Sequence, residues 1–223
     1  MTRLAAPFVA VLVLTVGGGA RAQTVERTFA LDSTADLEAR GVKVEAVTFR
    51  GRPAVRLTEL PGHPEYALAV LKGTTFKDGT IQVELAASPA AGAAETARGF
   101  VGIAFRLAGD RFECFYLRPT NGRAEDQLRR NHSAQYVSEP EFPWPRLRQE
   151  TPGVYESYVD LEPDAWTKMK IVVTGTKARL FVHDAAQPTL VVNDLKHGET
   201  EGPVALWIGP GTQAHFANLK ISR

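Results

Sequence analysis

"WTKMKIVVTGTKARLFVHD" (Trp166–Asp184) and "GPVALWIGPGTQAHFANLKIS" (Gly202–Ser222) are the stretches that decide the fold. In both, apolar and polar side chains alternate with a period of two, and the apolar set is rich in β-branched and aromatic residues. "GTK" (Gly175–Lys177) separates two such runs and reads as a hairpin turn. The same alternation recurs upstream, in Val42–Phe49, Ala54–Leu60, Tyr66–Leu71 and Thr80–Ala87. It continues through Gly99–Leu107, Arg111–Arg118, Tyr155–Leu161 and Thr189–Leu195. Runs of about 6–10 residues bounded by Gly, Pro, Asp or Asn, with a second hairpin signal at Ala108–Asp110, predict an all-β, two-sheet antiparallel sandwich.

Helix signals are few. Ser33–Gly41 carries an N-cap serine, early acids and a glycine stop, which predicts one or two helical turns. Ala124–Asn131 predicts another short turn. Ala86–Ala97 is rich in small residues and reads as a flexible inter-strand loop. One segment breaks the rhythm: Pro119–Gly153 separates two strong strand signals, and unstructured connections beyond about 15 residues are uncommon in compact domains. It carries Tyr136, Phe142 and Trp144, prolines at 140, 143, 145 and 152 that stiffen it, and a strand-like "AQYVS" (Ala134–Ser138). That composition predicts an ordered rim or lid.

The N-terminus reads as an address. Arg3 precedes an apolar run, Leu4–Val16, and Ala20-Arg21-Ala22 stands before Gln23 in the pattern of a signal peptidase site. The expectation is a signal peptide over residues 1–22, a domain over 23–223, and a secreted or periplasmic location. The apolar run is too short to make a good membrane span, so none is expected after cleavage.

The chain has 26 basic and 25 acidic residues. Without Arg3 and Arg21 the balance is 24 to 25, near −1. No global field favours nucleic acid or an anionic membrane, so any charge recognition is local. The single cysteine, Cys114, excludes an intrachain disulfide and a cysteine-built metal cluster, and lies in an apolar run that predicts a buried thiol. The five histidines show no metal-ligand spacing. P-loop, G-x-S-x-G and dinucleotide fingerprints are missing.

In the two opening stretches, a tryptophan starts a strand, a hairpin turns at glycine, and a Gly-led strand precedes a closing F-x-N-L-x-I. This cadence, from about Phe100 to Ser222, resembles the C-terminal half of concanavalin A-like lectin/glucanase jelly rolls. Within that group it looks most like laminin-G-like modules and bacterial secreted domains of the 3-keto-disaccharide hydrolase type. The resemblance implies a jelly-roll sandwich that binds a carbohydrate over its concave sheet. It leaves a structural calcium open as an option and implies no other cofactor. It also implies two alternatives, a glycoside hydrolase or lyase and a protein–protein adhesion module. The E-x-D-x-x-E strand motif of the family 16 glycosidases on this fold is absent.

Candidate site residues follow. On Gly99–Leu107, alternation places Gly102, Ala104 and Arg106 on one face, where small residues leave room for a ligand. Tyr116 and Arg118 share a face of the next strand. The long connection adds Arg123, Arg129, Gln135, Tyr136, Trp144, Arg146 and Arg148 as substrate-binding candidates, guanidinium forks being suited to hydroxyls and carboxylates. An alternative reading pairs these arginines with the acids of the same loop. The acid/base candidates are Glu113, His132 and Glu156. Glu156 and Asp160, four apart on one strand, would stand about 13 Å apart, too far for glycosidase chemistry at roughly 5–9.5 Å. Glu113 on a neighbouring strand is the remaining partner.

Overall fold

The computed structural model describes residues 25–60, 62 and 66–223; the leader expected over 1–22 lies outside them. The strands, in chain order, are β1 (Glu26–Phe29), β2 (Leu37–Arg40), β3 (Val42–Phe49), β4 (Arg52–Glu59), β5 (Leu68–Leu71), β6 (Gly79–Pro89), β7 (Val101–Ala108) and β8 (Arg111–Leu117). A 3-10 turn (Pro119–Asn121), α1 (Gln127–Asn131), β9 (Ala134–Glu139) and α2 (Trp144–Glu150) fill the long connection. The chain closes with β10 (Glu156–Ser157), β11 (Thr167–Thr174), β12 (Lys177–Val182), β13 (Leu190–Val192), β14 (Ala205–Ile208) and β15 (Thr212–Ser222).

These strands form two antiparallel sheets. The larger, eight-stranded, runs β13-β12-β11-β6-β15-β4-β3, with β1 also paired to β15. The smaller, seven-stranded, runs β10-β9-β8-β7-β14-β5-β2. On β11, Thr167, Met169, Ile171 and Val173 are buried and their neighbours are not, which is the period-two pattern of a strand with one face on the core. β7 and β8 are instead buried almost throughout. The smaller sheet is therefore covered on both faces, and something must lie over its outer side.

Several sequence expectations meet a different outcome. Ser33–Gly41 makes no helix; Leu37–Arg40 is β2, paired along β5, because the β5 edge needs a partner and Leu37 is buried. Tyr155–Leu161 shrinks to the two-residue β10. Ala86–Pro89 is not loop but the end of β6, paired with β15. The long connection is ordered, as its composition predicts, and its "AQYVS" is β9. Cys114 is fully buried, and burial pushes its thiol well above the usual range.

Arg106 is the main correction within the strands. Alternation places it beside Gly102 and Ala104, over the sheet. A bulge between Phe105 and Ala108 intervenes, and Arg106 takes a left-handed φ of 56°. Its guanidinium donates to the carbonyls of Lys77 (2.7 and 3.0 Å), Gly175 (2.8 Å) and Gly198 (2.7 Å). It also reaches Asp78 at 3.3 Å. All these partners lie in turns at the end of the sandwich, so Arg106 ties that end together and does not face a ligand.

This packing makes two predictions. Arg106→Met leaves three turn carbonyls without their donor and a buried stem in place of the charge; a loss of roughly 3 kcal/mol is expected in chemical denaturation. His215 is 2% exposed and stacked on Phe49 at 3.7 Å, and its Nδ1 has no partner among the described residues. Burial lowers its pKa from 6.5 to about 4. A depressed histidine stabilises the fold above its unfolded value and loses that contribution as pH falls. Stability should drop between pH 6.5 and about 4, by on the order of 2–3 kcal/mol. In His215→Phe the drop over that window should shrink, as read by urea denaturation against pH.

Candidate functional site

Strand register builds the site. Across the smaller sheet, Leu68, Trp207, Gly102, Tyr116, Gln135 and Glu156 are successive cross-strand partners, from β5 through β14, β7, β8 and β9 to β10. Residues in register share a face. This row lies on the outer side, because Phe115 and Tyr136, its neighbours in sequence, face inward, where the Tyr136 hydroxyl accepts the Lys196 amide beyond β13. From Trp207 to Glu156 the row crosses four strand spacings, about 19 Å.

The row is aromatic at one end and charged at the other. The rings of Tyr116 and Trp207 lie 4.8 Å apart, on either side of Gly102. A Cβ on Gly102 would stand 2.6 Å from the Cβ of Tyr116 and 2.1 Å from the Phe115 carbonyl, so only glycine fits. Phe100 meets the Tyr116 edge at 6.2 Å. α2 supplies the opposite wall: Leu147 is buried beneath it, while Pro143, Trp144 and Pro145 face the rings. The resulting cleft, about 620 Å³, is lined by these side chains with Tyr66, Glu139 and the Gly209–Gly211 turn.

Trp144 and Phe100 also line a second cavity, of about 430 Å³, with Arg98, Arg118, Arg129, His132 and Arg148. His132 and Arg148 in turn line a third, with Glu156 and Tyr158. The three cavities share walls and form one groove along the row.

Arg118 is buried and spends its fork inside the protein. It donates to the Tyr116 hydroxyl (2.9 Å), the Gln135 side-chain oxygen (3.1 Å) and the His132 carbonyl (2.7 Å), and sits 3.5 Å from Glu156. Glu156 is held by both nitrogens of the Arg148 fork, Nε at 3.0 Å, and approached by His132 Nε2 at 3.4 Å. Gln135 donates to the carbonyls of Tyr136 and Tyr155. Burial, then the Arg148 and Arg118 charges, lower the His132 imidazole below its usual value against the pull of Glu156.

The other candidates lie elsewhere. Glu113 faces inward, where it accepts the Tyr136 hydroxyl (2.6 Å) and the His197 amide (3.0 Å). Glu113 and Glu156 thus stand on opposite faces of one sheet and share no substrate. Tyr136 is buried with Glu113. Arg123 is exposed and bound to Asp160 and Glu162. Arg146 turns away from the groove, to Glu150 (2.8 Å), the Glu141 carbonyl and the Phe142 ring. The groove also takes residues that sequence reading missed: Arg98, Phe100, Glu139, Tyr66 and Trp207. Trp207 had a readable signal, since it alternates against Leu206 and Ile208 and so must leave the core face.

Among the described residues, no group of three or more His, Cys, Asp or Glu is placed to hold a metal ion. None of their helices is long and apolar enough to cross a membrane. The Glu156 geometry makes a prediction. Glu156→Gln leaves the Arg118 and Arg148 charges without their counterion and should cost roughly 3 kcal/mol in chemical denaturation. Arg123→Ala, at an exposed pair, should change stability by less than about 1 kcal/mol.

No protein-family model matches the chain, and no curated protein matches it by sequence. Solved structures do match its architecture. A carbohydrate-binding module, CBM66 from Bacillus subtilis, superposes with a TM-score of 0.53 at 11% identity over 82% of this chain and 96% of that one. A Bacillus subtilis protein of unknown function with a galectin-like fold gives 0.56 at 14% identity over 87% and 94%. Peanut lectin gives 0.55 at 11% identity over 90% and 97%. The chain has the concanavalin A-like jelly-roll fold, as its closing strands led one to expect.

Proposed function

We propose that this chain is an exported carbohydrate-binding protein whose glycan lies in the groove on the outer face of the smaller sheet. The observation that carries this reading is the aromatic cleft of Trp207, Phe100 and Trp144, backed by the buried Tyr116. Sugar rings present flat C–H faces that stack on aromatic rings, with hydroxyls left for polar groups at the rim, and a mainly apolar cleft with a few placed polar groups suits them. Trp144 is 43% exposed, and Leu128 and Tyr158, also exposed, line the same groove. Contiguous exposed apolar surface of this kind marks binding sites. The fold's occurrence in lectins and binding modules supports the reading, and the leader-like N-terminus supports export.

Binding without turnover is favoured because Glu113 and Glu156 are separated by the sheet and Glu156 is locked by two arginines. A hydrolytic reading has one observation behind it. Glu139 lines the aromatic cleft, accepts the Tyr66 hydroxyl at 2.9 Å, and has its carboxyl raised by burial, as a general acid requires.

Calorimetry against a glycan array's best ligand tests both. Trp144→Ala should weaken binding roughly tenfold with an unchanged fold, since the side chain is exposed. Unaltered affinity in Trp144→Ala and Trp207→Ala would remove the groove from consideration. Release of reducing ends by the wild type, lost in Glu139→Gln, would favour hydrolysis.

A further inference from the structure

The middle of the groove is more basic than anything nearby balances. Arg98, Arg118, Arg129 and Arg148 converge on one cavity whose own acid is Asp126, with Glu156 at its margin. Asp126 is partly engaged already, capping α1 through the Arg129 amide at 2.8 Å. Four guanidiniums against Asp126, Glu156 and Glu95, the last of which pulls on Arg98, still leave an excess of positive charge in a partly enclosed space. The crowding is felt by Arg98, whose pKa is lowered first by burial and then by the charges of Arg129 and Arg118.

These arginines are also only half used. Arg98 gives Nη1 to the carbonyls of Glu95 and Ala97. Arg129 gives Nε to Asn121 (3.0 Å) and Nη2 to Thr120 (3.3 Å). Arg148 gives Nε and Nη2 to Glu156. No hydrogen bond to a described residue engages Nη2 of Arg98, Nη1 of Arg129 or Nη1 of Arg148. Such pre-held forks, with their stems fixed by backbone and side-chain partners, are suited to a planar or tetrahedral oxyanion. Arg118 is different: both of its terminal nitrogens are engaged within the protein and its side chain is buried, so it contributes charge alone.

We infer that the groove binds an acidic saccharide, with a sugar ring on the Trp144–Phe100 side and its anionic substituent, a uronate carboxylate or a sulfate ester, among Arg98, Arg129 and Arg148. The juxtaposition sets the order. Trp144 and Phe100 line both the aromatic cleft and the basic cavity, so a ring stacked there has its neighbour or its substituent at the arginines. This rests on the glycan reading above and narrows its substrate class.

The test pairs each acidic ligand with its own neutral counterpart on the full chain. Calorimetry would compare oligogalacturonate with the same oligosaccharide after carboxyl reduction, and a sulfated galactan oligosaccharide with its desulfated form. At least one acidic member should bind roughly tenfold or more tightly than its counterpart, and the advantage should fall as salt rises. Which pair shows it separates carboxylate from sulfate. Arg98→Gln and Arg129→Gln, each partly solvent-exposed, should erase the difference between the acidic ligand and its neutral counterpart. Equal affinity within both pairs would overturn the acidic assignment while leaving the glycan reading intact. An advantage untouched by Arg98→Gln and Arg129→Gln would overturn the site. Failure of every saccharide, neutral and acidic, would overturn both readings. Should either variant fold poorly, salt dependence and competition by inorganic sulfate on the wild type decide the same question, since an uncharged site responds to neither.

Discussion

The buried guanidinium of Arg118 holds the site together. It sits at the exit of β8, where the long connection begins, and its donors reach Tyr116 in its own strand, Gln135 in β9 and the carbonyl of His132 just before β9. A buried charge demands this degree of satisfaction. Once it is met, the start of the connection has nowhere else to go: β9 is fixed beside β8, and Glu156 is drawn to the same spot as counterion. Arg148 then completes the pairing and orients α2 across the outer face. The wall of the groove is thus a consequence of neutralising one charge.

The same logic sorts the arginines. Arg106 and Arg118 serve the fold, with their terminal nitrogens engaged by protein groups and little exposure. Arg123 and Arg146 belong to the solvent side, paired with acids of neighbouring turns. Arg98, Arg129 and Arg148 occupy the remaining position, anchored at one edge and open at the other. A rigid fork with free donors in a cavity loses little freedom on meeting a ligand, which is the condition for useful polar recognition. The aromatic end works by different means. Gly102 removes the one side chain that would separate Tyr116 from Trp207, and the buried Tyr116 ring packs against Trp207 and backs the cleft.

Much of the architecture was legible in the chain. Period-two alternation with β-branched residues marked most strands, including Val42–Phe49 to the residue, and the closing cadence pointed to the jelly roll. The long connection was visible as an ordered rim from its aromatics and prolines. The misses have a common cause. "STADLEARG" has local helix signals, yet Leu37–Arg40 pairs with β5, because an unpaired edge next to a buried leucine outweighs a weak propensity. Arg106 was placed over the sheet by alternation, and a single bulge moved it to the sandwich end.

What the sequence by itself determined is the set of local periods: which runs are strands, where turns fall, which residue types are present in the rim. These depend on neighbours along the chain. Which arginines are spent and which are free, and on which face of the sheet Glu113 and Glu156 lie, was decided only by tertiary structure. Register between strands distant in sequence sets both, and a shift of one residue would exchange the faces. Glu113 and Glu156 look equivalent in the chain; the sheet between them makes one an interior acceptor and the other the counterion beneath the groove.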